Sequence, residues 1–277
     1  MYKRKGGIYT NIYIDIEIYR ERKRAKQMET ITICNRKGGT GKTVTALNLG
    51  ASLKAEGYKV LYVDLDSQRN LTRTLTAQES KQNSFSLLVK ETEDAKRCII
   101  ETPEGDLIPG AEQLASVDRL GIGLDVLKNA LTPVKKKYDY IIIDTPAVNS
   151  LCVINAFICS NSLIIPVQAD LYSLYALEDE YKVIDQIRKK YNRFLKIQGI
   201  LLTRYQANAK LSKLIKESFE EEAKELGTRL FDTVIRENIT IKESLLYCKS
   251  VINYKPKSNG AKDYRSFTVE YLKRKGQ

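Results

Sequence analysis

The chain has 277 residues, 43% of them hydrophobic, with a net charge of +12, no histidine and five scattered cysteines. That length suits one large α/β domain and is too short for two well-filled ones. Without histidine or a Cys-x-x-Cys pair, a histidine general base and a zinc site are excluded, and the cysteines read as reduced fillers.

Residues 1–27 hold eight Lys/Arg against three Asp/Glu. They are expected to be a basic extension, either readthrough upstream of a natural start at Met28 or a poorly ordered arm. A single domain is expected over 28–277. Its first strand, 31–34, leads into Lys37-Gly38-Gly39-Thr40-Gly41-Lys42-Thr43, and a helical pattern follows over 44–53. An apolar strand at 60–68 ends in Asp64 and Asp66, and another at 138–146 ends in Asp144. Between them, 70–77 reads as a loop and short helix, 84–104 as helical, 106–110 as a short strand closed by Pro109 and Gly110, and 118–137 as a helix. Then come a helix at 149–160, a strand at 162–168, a long amphipathic helix at 174–191 and a strand at 197–203. Strands alternating with helices, with continuous Val/Ile/Leu runs in the strands, predict a doubly wound, mostly parallel sheet flanked by helices. Every apolar run is strand-sized, so no spanning helix and no stable membrane insertion are expected.

Strand, glycine-rich turn and helix form the context of a phosphate-binding loop. Backbone N–H groups close around phosphate oxygens, and the helix N-terminus adds positive potential. Lys42 then reaches the β/γ-phosphates and the Thr43 hydroxyl sits on Mg²⁺. Gly38, Gly39, Thr40, Gly41 and Val44 complete the candidate cofactor-binding run. Ligands in open parallel sheets gather at the carboxyl ends of the strands, which is where Asp64, Asp66 and Asp144 fall. The usual first glycine is replaced by Arg36, and a second lysine, Lys37, opens the loop.

That second lysine makes the loop similar to the deviant Walker A motif of the ParA/MinD family of ATPases. Asp64-Leu65-Asp66-Ser67-Gln68 resembles the family's D-x-D-x-Q element, and Ile164-Ile165-Pro166-Val167-Gln168 its I-P-V-Q segment. Phe231–Asn238 resembles T-x-I-P-R-N, with Arg236 and Glu237 in the proline and arginine places, and 253–260 matches D/N-Y-x-P-K-S-x-G. The likeness covers roughly Met28 to Leu272. It implies ATP and Mg²⁺ as cofactors and weak ATP hydrolysis. By resemblance Lys37 acts in trans across a nucleotide-sandwich homodimer, Lys42 in cis, and Asp66 on the attacking water. Thr43, Asp64 and Asp144 serve magnesium, and Asn238 is a candidate for the adenine.

The reading that follows is a cytoplasmic, nucleoid-associated partition ATPase of plasmid or mobile-element type. It binds double-stranded DNA non-specifically and is released when a ParB-type centromere-binding protein stimulates hydrolysis. The charge argues for a polyanionic partner, either nucleic acid or an anionic membrane surface; DNA is favoured, with Arg204, Lys210, Lys213, Arg236, Lys242, Lys255 and Lys257 as the candidate contacts. The alternative is a MinD-like membrane-associated positioning ATPase, for which Tyr264, Phe267, Tyr271 and Leu272 would form an apolar stripe on a terminal helix.

Overall fold

The computed structural model describes residues 28–90, 94–206 and 210–275; the expected extension at 1–27 lies outside the described residues. Six strands form one sheet: β1 (Glu29–Ile33), β2 (Val60–Asp64), β3 (Asp106–Ile108), β4 (Tyr140–Asp144), β5 (Ser162–Gln168) and β6 (Lys196–Thr203). Their order is β3-β2-β4-β1-β5-β6, and every pairing is parallel. Strands β1, β2 and β4 are buried along their whole length, which accounts for their unbroken apolar sequences.

Side chains alternate between the two faces. Leu61, Val63, Ile141 and Ile143 enter one core, and Val60, Tyr62, Tyr140 and Ile142 the other. The first core is covered by α4 (Val126–Leu131), α5 (Leu151–Cys159), α6 (Leu171–Lys190) and α7 (Lys210–Glu225). The second is covered by α1 (Lys42–Ala55), α9 (Val251–Tyr254) and α10 (Asn259–Lys275). Two short helices, α2 (Asn70–Leu75) and α3 (Ser84–Leu88), follow β2, and α8 (Ile239–Leu246) precedes α9.

Two helical expectations are corrected. The stretch 118–137 is broken into a 3₁₀ turn ending at Arg119, the short α4, and a second 3₁₀ turn at Lys135–Lys137. Gly121 with φ +60° and Pro133 interrupt the pattern. The stretch 84–104 is helical only over α3 and Ala95–Cys98, after which Ile100 bridges antiparallel to Leu107.

The terminal stripe is consumed by packing. Tyr264, Phe267, Tyr271 and Leu272 are all buried in the second core, so this stripe is not available to a bilayer. Among the described residues no helix is long and apolar enough to cross a membrane.

Candidate active site

Strand β1 lies between β4 and β5, so the chain leaves its carboxyl end at the point where the sheet changes direction. The next turn carries Gly39 at φ +76° and Gly41 at φ +89°, left-handed values that side chains resist. Gly41 caps α1, whose first turn holds no acidic residue, leaving its positive end for an external anion.

Neighbouring strands hold the turn. The Gln168 amide donates to the Gly39 carbonyl at 2.6 Å. The Thr203 hydroxyl sits 2.8 Å from the Thr40 carbonyl, and the Lys37 N–H donates to Asn35 at 2.8 Å. Sequence reasoning gave Gln168, Thr203 and Asn35 no site role. Gln168 had a signal, its place at the carboxyl end of a buried strand; an isolated threonine or asparagine carries none.

Gly38, Gly39, Gly41, Lys42, Thr43, Val44 and Asp66 line one cavity of about 550 Å³, joined by Arg73 from α2 and Leu245 from α8. The Lys42 ammonium is 3.2 Å from the Lys37 carbonyl. Burial lowers its pKa, against the attraction of Asp144 and Asp66. Thr40 is fully buried behind the turn.

The two strand-end carboxylates differ sharply. Asp64 and Asp144 are register partners on β2 and β4, and both are fully buried. Asp64 accepts from the Asp66 N–H at 3.0 Å, and from the Thr72 N–H and hydroxyl at 2.9 and 2.7 Å. One of its oxygens holds the Asp66 N–H and the other holds α2 through Thr72, which fixes the backbone that carries Asp66. Burial still pushes its pKa up, to about 6. Both Asp144 oxygens lack a hydrogen-bond partner, and burial followed by repulsion from Asp64 pushes its pKa well up. The Thr43 hydroxyl and Lys42 act in the opposite sense on it. A buried carboxylate with unmet acceptors beside a hydroxyl fits a magnesium ion held through water.

Lys37 points elsewhere. Its ammonium is 2.7 and 2.8 Å from the two Asp170 oxygens and 3.1 Å from the Ser173 hydroxyl, all at the start of α6. Asp170 also caps α6 by accepting from the Ser173 N–H at 2.9 Å. Beside this pair Leu171, Tyr172, Tyr175 and Val148 stand exposed. Behind the loop the buried Glu180 meets the Arg36 N–H and the Cys34 thiol, and burial raises its pKa.

Asn238 is not among the residues lining the cavity; its oxygen accepts from the Thr240 N–H at 2.9 Å and caps α8. The basic set expected to be free is largely paired within the chain. Glu237 binds Arg204 at 2.8 Å and Lys242 at 2.7 Å, Glu243 binds Lys255 at 2.9 Å, and Asp263 binds Arg236 at 2.6 Å. Lys213 and Lys257 are exposed, with no ion pair among the described residues. Lys210 opens α7, and its side chain is outside those described.

A parallel sheet that presents a glycine turn, a helix N-terminus, an inward lysine and an orphaned carboxylate defines a P-loop nucleotide-binding protein. Residues 28–197 match the AAA domain family. The sporulation initiation inhibitor protein Soj of Bacillus subtilis is 37% identical over 247 residues, 87% of this chain and 96% of that protein. The chromosome partitioning protein ParA of Myxococcus xanthus is 32% identical, covering 88% of each. The septum site-determining protein MinD of Pyrococcus horikoshii, solved with Mg-ADP, superposes with a TM-score of 0.74 at 27% identity, covering 90% of this chain and 98% of that one. The chain belongs to the ParA/MinD family of P-loop ATPases.

Proposed function

We propose that the protein is a partition-type ATPase that binds MgATP, closes as a homodimer over the nucleotide, and holds double-stranded DNA in that state. The observation that carries this reading is the second loop lysine. Lys37 does not enter its own chain's cavity but lies at the rim, restrained by Asp170 beside an exposed apolar set of Leu171, Tyr172, Tyr175 and Val148. Those exposed side chains suit burial against a second copy, and Lys37, released from Asp170, would be the group that reaches across to it. The likeness to proteins named for chromosome partitioning, together with the net charge of +12, supports DNA as the partner.

The chemistry is mainly positioning and charge neutralisation. Backbone N–H groups of 38–43 and the α1 N-terminus cradle the phosphates, and Lys42 neutralises charge on the β/γ oxygens. Thr43 and Asp144 would hold magnesium, which when bound neutralises phosphate charge. Asp66 is half-buried at the cavity wall, where it orients the attacking water; Asp64 keeps it there by fixing α2. Lys37 from the second copy supplies the last positive charge. With each step waiting on a partner, intrinsic hydrolysis is weak, and a centromere-binding protein of ParB type accelerates it and releases the DNA.

The test is duplex-DNA binding with ATP, ADP or no nucleotide at two salt concentrations, for the wild type and Lys37→Ala. An ATP-dependent gain in tight, sequence-indifferent, salt-sensitive binding, absent from the variant, is expected. Equal affinity in all three states would defeat the proposal.

A further inference from the structure

At the opposite end of the sheet from the nucleotide lies a basic groove that the proposed function does not use. It has a volume of about 850 Å³ and is lined by Lys54, Lys59, Lys96, Lys136, Lys137 and Tyr138 among others. The elements explain the convergence. Lys54 lies in the last turn of α1, Lys59 precedes β2, Lys96 lies in the 3₁₀ turn before β3, and Lys136 and Lys137 lie in the one before β4. All five lysines are therefore delivered to the amino ends of β2, β3 and β4. Lys42 and Lys54 are twelve residues apart on one helix, about 18 Å at the helical rise.

All five are exposed, and among the described residues none is in an ion pair. Lys54 donates to the Pro103 carbonyl at 2.8 Å, while Lys59, Lys96, Lys136 and Lys137 have no side-chain hydrogen bond there. Two carboxylates share the groove, Glu101 and Asp106, and Asp106 accepts from the Tyr138 hydroxyl at 2.6 Å. The α7–α9 surface is different, since four of its candidate cations are already matched by Glu237, Glu243 and Asp263. On that surface Lys213 and Lys257 stay unpaired, whereas at the amino-end pole all five lysines that converge on one groove are unpaired among the described residues.

We propose that this groove is a second, nucleotide-independent binding site for the phosphate backbone of duplex nucleic acid. Lysine ammoniums are point charges that meet phosphates without reading bases. None of the large hydrophobic side chains exposed among the described residues lines the groove, so it lacks the anchors that a peptide or a bilayer requires. The whole groove comes from one chain and lies far from the phosphate loop, so it needs neither ATP nor a second copy. A dimer formed at the nucleotide site carries two such grooves and can hold two duplexes at once.

The experiment is fluorescence-anisotropy titration of a random-sequence duplex in ADP and in ATP, across a salt series. It compares the full-length wild type with a Lys96→Glu, Lys136→Glu, Lys137→Glu triple variant. Nucleotide binding and melting temperature should be unchanged in the variant, because all three side chains are exposed. In ADP the wild type should bind in a salt-sensitive manner. The variant should lose about tenfold or more in affinity, and its slope of log K against log salt should fall by roughly 2 to 3, about 0.9 per phosphate contact. The ATP-dependent increment should survive in the variant. An unchanged ADP-state affinity and slope, or no ADP-state binding by the wild type, overturns the groove site. Stronger competition by poly-glutamate than by duplex at equal charge reassigns it to an acidic protein and likewise overturns it. Loss of the ATP increment in the wild type would sink only the proposed function.

Discussion

Replacing Asp170 by asparagine isolates the restraint on Lys37. Asparagine caps a helix as well as aspartate does, so the bond from the Ser173 N–H at 2.9 Å is retained and α6 keeps its start. The charge is lost, and with it the attraction behind the 2.7 and 2.8 Å contacts to Lys37. The two side chains are 30% and 34% exposed, so solvent screening limits the pair to about 0.5–1 kcal/mol. The proposed dimer must release this restraint once in each copy, so the expected gain in association is about 1–2 kcal/mol, or roughly 5- to 30-fold. Sedimentation velocity with a non-hydrolysable ATP analogue reads the change directly, as a dimerisation midpoint shifted to lower protein concentration. An Asp170→Asn midpoint equal to the wild type's would refute the idea that Lys37 must leave its own chain for the dimer to form.

Asp144→Asn removes a buried charge whose two oxygens have no protein partner; the magnesium-free protein should melt a few degrees higher, as about 1 kcal/mol gives in a domain of this size, while magnesium ceases to tighten ADP binding. Thr72→Val deletes the hydroxyl that bonds Asp64 and receives the Gly110 N–H; it should cost about 1–3 kcal/mol in urea unfolding and slow hydrolysis through Asp66. Glu237→Gln releases Arg204 and Lys242 together; if the α8 surface meets DNA, the salt slope of ATP-state binding should steepen by roughly 1 to 2, and an unchanged slope would exclude that surface. Gly50→Ala, ordinarily stabilising in a helix, should destabilise by about 1–3 kcal/mol, because the added carbon would strike the Tyr62 ring against α1.

The phosphate loop and the buried strands were legible because their signals are local. A glycine turn between an apolar run and a helical pattern needs no distant residue to be recognised, and strands buried on both faces announce themselves by composition. The partners of charged side chains were not legible. Lys37 and Asp170 are 133 residues apart, and Arg204 meets Glu237 across 33. A count of lysines along 204–262 therefore overstated the free charge there, while the groove at the other pole draws its lysines from four separated segments. The terminal stripe shows the same limit in another form. Helical spacing placed Tyr264, Phe267 and Tyr271 on one face, but whether that face meets lipid or the sheet depends on the tertiary fold. Asp64 and Asp144, both at strand ends, were both read as serving magnesium; in the fold they are register partners, and Thr72 occupies an Asp64 oxygen while both Asp144 oxygens stay without a hydrogen-bond partner.

The packing of α10 on α1 also orders events in time. Thr45, in the first turns of the helix that begins at the phosphate loop, lies 3.5 Å from the Tyr264 hydroxyl, 219 residues later in the chain. On a ribosome the glycine turn emerges early, but the helix behind it stays half-uncovered until α10 has been synthesised and docked. A nascent chain therefore cannot present a finished nucleotide site before that docking.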